Sequence, residues 1–326
     1  MHIFTNPKFD FVRWRWHAIA LSWLIILAGL LFIWKNGMPR GVEFSGGTIV
    51  ILQFDQQPNI EQVRAALDRS VEGGGANAVV QRYGDPSARE VMVRLHTSGA
   101  EVGRSLSSTA DQVKAAITQA NLGNFQIAGT EIVGPTVGAE LATRGTLATI
   151  FALAGILVYI AFRFQFSFAV GAVVATLHDL LITLAVLAFF RYELTLNIIA
   201  AILTITGYSM NDTIVIFDRI RENMRSMRRD NMMTIVNAAV NQMLDRTMIT
   251  GGTTMLSVIA LYLFGGEVLK GFAFTMIVGI ITGTYSSVFI AAAIVIIWQG
   301  RKPVKASAAP SAPAAPTRRA GRRRVS

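Results

Sequence analysis

Apolar residues gather into six long runs, at 18–34, 146–162, 166–190, 196–217, 248–264 and 272–298. Each can cross a bilayer core as a helix, which needs roughly 17–25 residues. Helix is the expected form, because an open sheet edge has no partner in lipid. Between the first two runs the pattern changes. Residues 48–54 form a β-rich run, and 58–70 place Ile60, Val63, Ala66 and Leu67 at helical spacing behind Pro58 and Asn59. Residues 77–83 and 90–95 read as strands around a Gly84-Asp85-Pro86 turn. A second helix is predicted over 107–120, with Val113, Ala116 and Ile117 inward, and a last strand over 125–133. The order β-α-β-β-α-β is the ferredoxin-like arrangement.

The predicted fold is a polytopic α-helical membrane protein: six transmembrane helices with one α+β ferredoxin-like domain between helices 1 and 2. Its divisions are an N-terminal segment 1–17, helix 1 over 18–34, the external domain over 35–145, and helices 2–6 over 146–298 with a basic loop at 218–247. An Ala/Pro/Arg-rich tail over 299–326 is expected to be disordered.

Composition agrees with this reading. Of 326 residues 52% are hydrophobic and 15% charged, with mean hydropathy +0.46, too apolar for a soluble globule. The first run is too long for the core of a signal peptide and no small-residue cleavage site follows it, so an uncleaved span is expected, anchored by Trp34, Lys35 and Asn36. Basic residues lie before helix 1, between helices 4 and 5, and in the tail, which puts both termini on the cytoplasmic side. The external block 36–141 carries 8 Lys/Arg against 11 Asp/Glu, a net −3, which leaves +13 on the rest of a chain whose total is +10. That asymmetry is positive-inside topology and not a nucleic-acid footprint. Zero cysteines excludes disulfides and thiolate metal sites. His96 stands alone, no catalytic triad or paired carboxylate can be argued, and no cofactor, metal or enzymatic activity is expected.

The chemistry lies in the membrane. Asp212 sits inside an apolar run, and a carboxylate at that depth costs about 2.5–3.5 kcal/mol even on lenient scales. Either a charge is moved there or a polar contact holds helices together. Tyr208 and Ser209 lie one turn back on its face and Asn211 precedes it. Desolvation favours a neutral carboxyl and a nearby arginine the ionised one, so a group pulled both ways can change state as its partner moves. His178 and Asp179 fall half-way along helix 3; adjacent positions point about 100° apart, which argues against both facing one small cavity, so a structural role with His178 bonding a neighbouring helix is at least as good a reading as a proton relay. At the end of helix 4, Asp218–Arg221 and Arg219–Glu222 are attractive neighbours and Asp218–Glu222 a repulsive one, a network that would set the exit angle of the helix. Gly279 and Gly283 allow close helix packing, possible against a partner subunit. Residues 228–244 read as an amphipathic helix near the lipid headgroups.

Several motifs together resemble the SecF family of protein-export membrane proteins. They are Gly41-Val-Glu-Phe-Ser-Gly-Gly-Thr48, Gly134-Pro-Thr-Val-Gly138, His178-Asp179, Asn211-Asp-Thr-Ile-Val-Ile-Phe-Asp-Arg-Ile-Arg-Glu-Asn223 and Arg246-Thr-Met-Ile-Thr-Gly-Gly-Thr-Thr254. The resemblance covers all but the tail after Gly300. Within it, Glu43, Phe44, Gly46 and Gly47 carry the lead-in motif, Pro135 and Gly138 the lead-out motif, and Asp218, Arg219, Arg221, Glu222 and Asn223 the end of helix 4. Their glycines suit either hinges or ordinary turns. Glu43 departs from the family, where Asp is common.

The resemblance implies half of a resistance-nodulation-division transporter in the bacterial inner membrane, with its external domain in the periplasm. It implies a heterodimer with SecD, association with the SecYEG channel and, further out, YajC and YidC. In this picture the proton-motive force promotes export of unfolded proteins after translocation driven by SecA and SecYEG. It places Asp212 and Arg246 on the proton path; from spacing alone Arg246 is an ordinary positive-inside anchor. Anionic lipids are the expected partners of the Arg-rich tail, and nucleic acid is not. A half-size exporter of small molecules or lipids, or a purely structural subunit, are the other readings the residues allow.

Overall fold

A computed structural model describes residues 7, 9–70, 78–84, 86–96 and 106–299. The Arg-rich tail after Gln299, Lys8 and Asp85 of the predicted turn lie outside the described residues, as does the side chain of His96.

The external domain is the predicted one. Strands β1 (Gly47–Phe54), β2 (Ala78–Tyr83), β3 (Glu90–His96) and β4 (Phe125–Val133) form an antiparallel sheet in the order β2-β3-β1-β4. Period-two alternation sends Val50, Leu52 and Phe54 to one face. There they meet Val63 and Leu67 of α3 (Ile60–Ser70) and Val113 and Ile117 of α4 (Leu106–Gln119) in a fully buried core. The other face, with Ile49, Ile51 and Met92, looks toward the membrane helices.

Six helical spans carry the apolar runs. They are α1 (Arg15–Asn36), α5 (Pro135–Arg163), α6 (Phe166–Phe189), α7 (Leu196–Ser226), α8 (Met232–Phe264) and a last span made of α9 (Gly266–Ser286), a π-helical turn (Ser287–Ala291) and α10 (Ala292–Gln299). A four-residue helix α2 (Val42–Ser45) lies between α1 and β1. The interior helices are α6, α7 and the last span. Gly29 of α1 packs on Ala185 of α6 so closely that a Cβ would lie 2.1 Å from the Ala185 Cβ. Gly279 and Gly283 fit Ile205 and Ser209 of α7 in the same way, at 2.3 and 2.7 Å. That pair of glycines therefore serves packing inside this chain and not a partner subunit.

Two boundaries differ from the sequence reading. Helix α5 begins at Pro135, eleven residues before its apolar run, so 135–145 continue that helix. The stretch 218–247 is no loop: α7 runs to Ser226, a short turn follows, and α8 rises from Met232 without a break into the membrane. Its first turns are bonded to α7 and to the N-terminal segment. Gln242 takes bonds from Arg219 and Asn223 of α7, and Asn237 and Asn241 clasp the backbone of Phe9 and Phe11.

Candidate functional site

Two buried acids stand on the interior helices, 3% and 4% exposed. Asp179 of α6 is saturated with partners. Its Oδ1 is 2.9 Å from His178 Nδ1, and its Oδ2 accepts from Ser209 of α7 at 2.5 Å and from Ser286 of the last span at 2.9 Å. His178 Nε2 is 2.8 Å from Ser22 Oγ of α1; Ser22 donates to the Tyr285 hydroxyl, and Tyr285 to the Ala18 carbonyl. With those two hydroxyl protons committed, Nε2 carries its own proton and Ser22 accepts it. Full hydrogen bonding makes the cluster tolerable at membrane depth.

The expectation that His178 bonds a neighbouring helix is met by Ser22. The argument that the two side chains could not share a cavity is not. Helical spacing fixes the direction of Cα–Cβ, but the imidazole and carboxyl reach beyond it and meet.

Asp212 of α7 is the opposite case. Its Oδ2 is enclosed and has no hydrogen-bond partner among the described residues. Tyr208, one turn below on the same face, has a buried hydroxyl near Thr250 and Thr254 of α8 without a well-formed bond to either. Those threonines donate instead to the carbonyls of Arg246 and Thr250. Thr284 Oγ1 of the last span is likewise buried and unpaired. Gly251 of α8 lies against both: a Cβ there would sit 3.6 Å from the Tyr208 hydroxyl and 3.6 Å from Thr284 Oγ1. Each such orphan costs about 1–3 kcal/mol.

The predicted partner Arg246 is exposed and makes no ion pair within 4 Å of Asp212, although its charge is near enough to bear on that acid. Ser209, expected beside Asp212, turns instead to Asp179, and Asn211 faces out of the bundle. The helix-end network forms as read, with Arg219–Glu222 at 2.7 Å and Arg221–Asp218 at 3.6 Å, and Arg219 and Asn223 extend it to Gln242 of α8.

Gly46 and Gly138 are packed on each other, whereas a Cβ on Gly134 would meet nothing within 4 Å. Gly46 takes φ +75°, which favours glycine, and a Cβ on Gly138 would come within 2.9 Å of its nitrogen, so α2 lies directly on the first turn of α5. Phe44 is buried in that contact, and Pro135 opens α5 at its first turn, where no N–H is needed. Gly41 donates to the Leu194 carbonyl at 2.8 Å and Leu194 to the Pro39 carbonyl at 2.7 Å, which pins the lead-in to the turn just before α7. Arg94 of β3 and Glu193 of the same turn form a largely buried ion pair. Between the sheet and this turn lies a cleft of about 410 Å³ that also meets Glu43, Tyr83 and Glu131. Burial, and then Glu131 and Glu90, push the Tyr83 phenol up.

Sequence reasoning missed Ser22, Tyr285, Arg94 and Glu193, because nothing in the local pattern of a lone Ser, Tyr, Arg or Glu names a partner 99 or more residues away. Among the described residues no three His, Asp or Glu side chains converge as metal ligands would.

Comparisons with known proteins bear on the whole chain. The family described as protein export membrane protein SecD/SecF, C-terminal, matches residues 112–301, and the SecD/SecF GG motif matches residues 31–58. Proteins named protein translocase subunit SecF are 42% identical in Vibrio alginolyticus, over 90% of either chain, and 39% identical in Escherichia coli, over 88% of this chain and 87% of that one. A third, from Koribacter versatilis, is 35% identical over 96% of this chain and 97% of its own. The crystal structure of SecDF, a translocon-associated membrane protein from Thermus thermophilus, superposes with a TM-score of 0.77 at 33% identity, over 91% of this chain. The present chain spans 39% of that SecDF polypeptide. With six apolar spans and these relatives, this is a multi-pass membrane protein of the bacterial inner membrane. Its lead-in glycines, its membrane acids and its helix order all fall within those matches, and the chain belongs to the SecF family of protein translocase subunits.

Proposed function

We propose that the chain is the half of a SecD–SecF pair that uses the proton-motive force at Asp212 to promote protein export. The observation that carries this reading is the orphaned Asp212 carboxyl. An acid held without a partner, on the helix next to that of an acid that is fully bonded, is poised to take and release a proton as its surroundings change. Arg246, near but not paired, is the group whose approach would favour the ionised form.

The basic segments put both termini in the cytoplasm and the ferredoxin-like domain in the periplasm. Motion at Asp212 has a direct route to that domain. Helix α7 begins two residues after Leu194, and Leu194 and Glu193 hold Gly41 and Arg94. A shift of α7 is then carried outward by this clasp. The partner surface is proposed on the exposed stripe Thr204, Gly207 and Asn211 of α7, where a polar amide at membrane depth calls for a helix of SecD and not for lipid. Work beside the SecYEG channel, with YajC and YidC as further neighbours and unfolded exported proteins as cargo, follows from the same reading. Anionic lipid would hold the Arg-rich tail.

The test is export of a precursor protein in cells carrying Asp212→Asn, with subunit level and SecD association measured alongside. Lost export with normal assembly supports the proposal. Normal export overturns it.

A further inference from the structure

Asp212 lies between two residues of its own helix that are both tied to the last span. Ser209, three positions before it, shares Asp179 Oδ2 with Ser286. Thr213, immediately after it, is 2.8 Å from Ser287 through their hydroxyls. All of these side chains are buried. The two rungs meet the last span where α9 gives way to the π-helical turn Ser287–Ala291. Such a turn inserts one extra residue into the helical ladder, and π-turns of this kind recur at functional sites. His178 occupies Asp179 Oδ1, which leaves Oδ2 to accept both serines.

We propose that Asp179 and this π-turn are the positioning device for Asp212. The rungs Ser209–Asp179–Ser286 and Thr213–Ser287 fix the rotation of α7 about its axis, and so fix the direction in which the Asp212 carboxyl points. Rotation of α7 requires both rungs to break together. The π-turn supplies the second register, because its return to α-helical winding moves Ser286 and Ser287 past their partners by one residue. A bistable element of this kind converts a local change at an acid into a discrete helix movement. This inference rests on the reading of Asp212 as the proton-responsive residue.

The experiment uses the full chain co-expressed with SecD, in inverted membrane vesicles, reading export stimulated by the proton-motive force and its pH profile. The variants are Ser209→Ala, Thr213→Val, the double variant and the hydroxyl-retaining Thr213→Ser, with Asp212→Asn as the reference. Single removals are expected to lower stimulation roughly two- to fivefold and the double variant about tenfold or more, the scale of coupling carried by residues that touch no ligand. Assembly with SecD should be kept, the pH profile displaced, and Thr213→Ser close to wild type. Wild-type stimulation and an undisplaced profile in the double variant, while Asp212→Asn abolishes stimulation, would overturn this inference alone. A silent Asp212→Asn would instead remove the reading beneath it. If the double variant fails to assemble, the decision passes to Thr213→Val, which keeps the side-chain shape, and an unchanged profile there is equally fatal.

Discussion

Asp179 and Asp212 are both carboxyls at membrane depth, on adjacent helices of one bundle, yet their surroundings differ in kind. Asp179 accepts bonds from two serines and meets His178 Nδ1 at 2.9 Å, and the chain of partners runs on to α1 and the last span. Asp212 has an enclosed oxygen with no partner, beside a tyrosine and a threonine in the same condition. The first arrangement makes a fixed joint between four helices. The second keeps a carboxyl whose charge is not settled by its neighbours. Sequence position distinguishes neither; hydrogen-bond completion does.

The comparison can be broken most severely at the joint. Asp179→Ala leaves His178 without its partner in the bundle interior, and breaking a buried pair in this way costs about 3–5 kcal/mol. A large drop in the thermal unfolding midpoint of the purified complex, and low subunit levels in cells, are expected. Asp212→Asn should do the reverse, keeping stability and losing stimulation of export. Equal stability losses in the two variants would erase the distinction.

A smaller effect comes from steric pressure on the same joint. Gly283→Val places atoms against Ser209, where even a Cβ would lie 2.7 Å from the Ser209 Cβ. Overpacking of that kind costs about 1–3 kcal/mol. Stability should fall together with export, and a variant of wild-type stability would show that α9 and α7 are not tightly seated on each other. Ser22→Ala removes only the acceptor of His178 Nε2 and the donor to Tyr285, for about 1–2 kcal/mol. Its unfolding midpoint should shift modestly, with pH dependence of export unchanged. Arg246→Ala should be smallest in stability, within about 0.5 kcal/mol for an exposed side chain. It should nonetheless reduce stimulation, which separates Arg246 as a proton-path residue from Arg246 as a simple anchor.

Much of the fold was legible because its causes are local. Apolar run length marks a span, and Val63, Leu67, Val113 and Ile117 mark the helix faces that cover the sheet. Boundaries failed where polar residues continue a helix. Thr143 and Arg144 sit in α5 below its apolar run, and the first turns of α8 are held by Asn237, Asn241 and Gln242 and not by hydrophobicity. Asp212 was legible as a single acid in an apolar run. The bonding of Asp179 was not, since Ser22, Ser209 and Ser286 come from three other helices and serine is ordinary in any of them. The π-turn has no compositional mark at all in Ser287–Ala291.

The central claim is that Asp212 changes its protonation during the working cycle. Infrared difference spectroscopy of the SecD-bound protein, with carboxyl-labelled aspartate, tests it most directly as pH is stepped. The account predicts a carboxylic-acid band that appears and disappears across the titration, is absent in Asp212→Asn and survives in Asp179→Asn. A band that survives Asp212→Asn and vanishes in Asp179→Asn would contradict it.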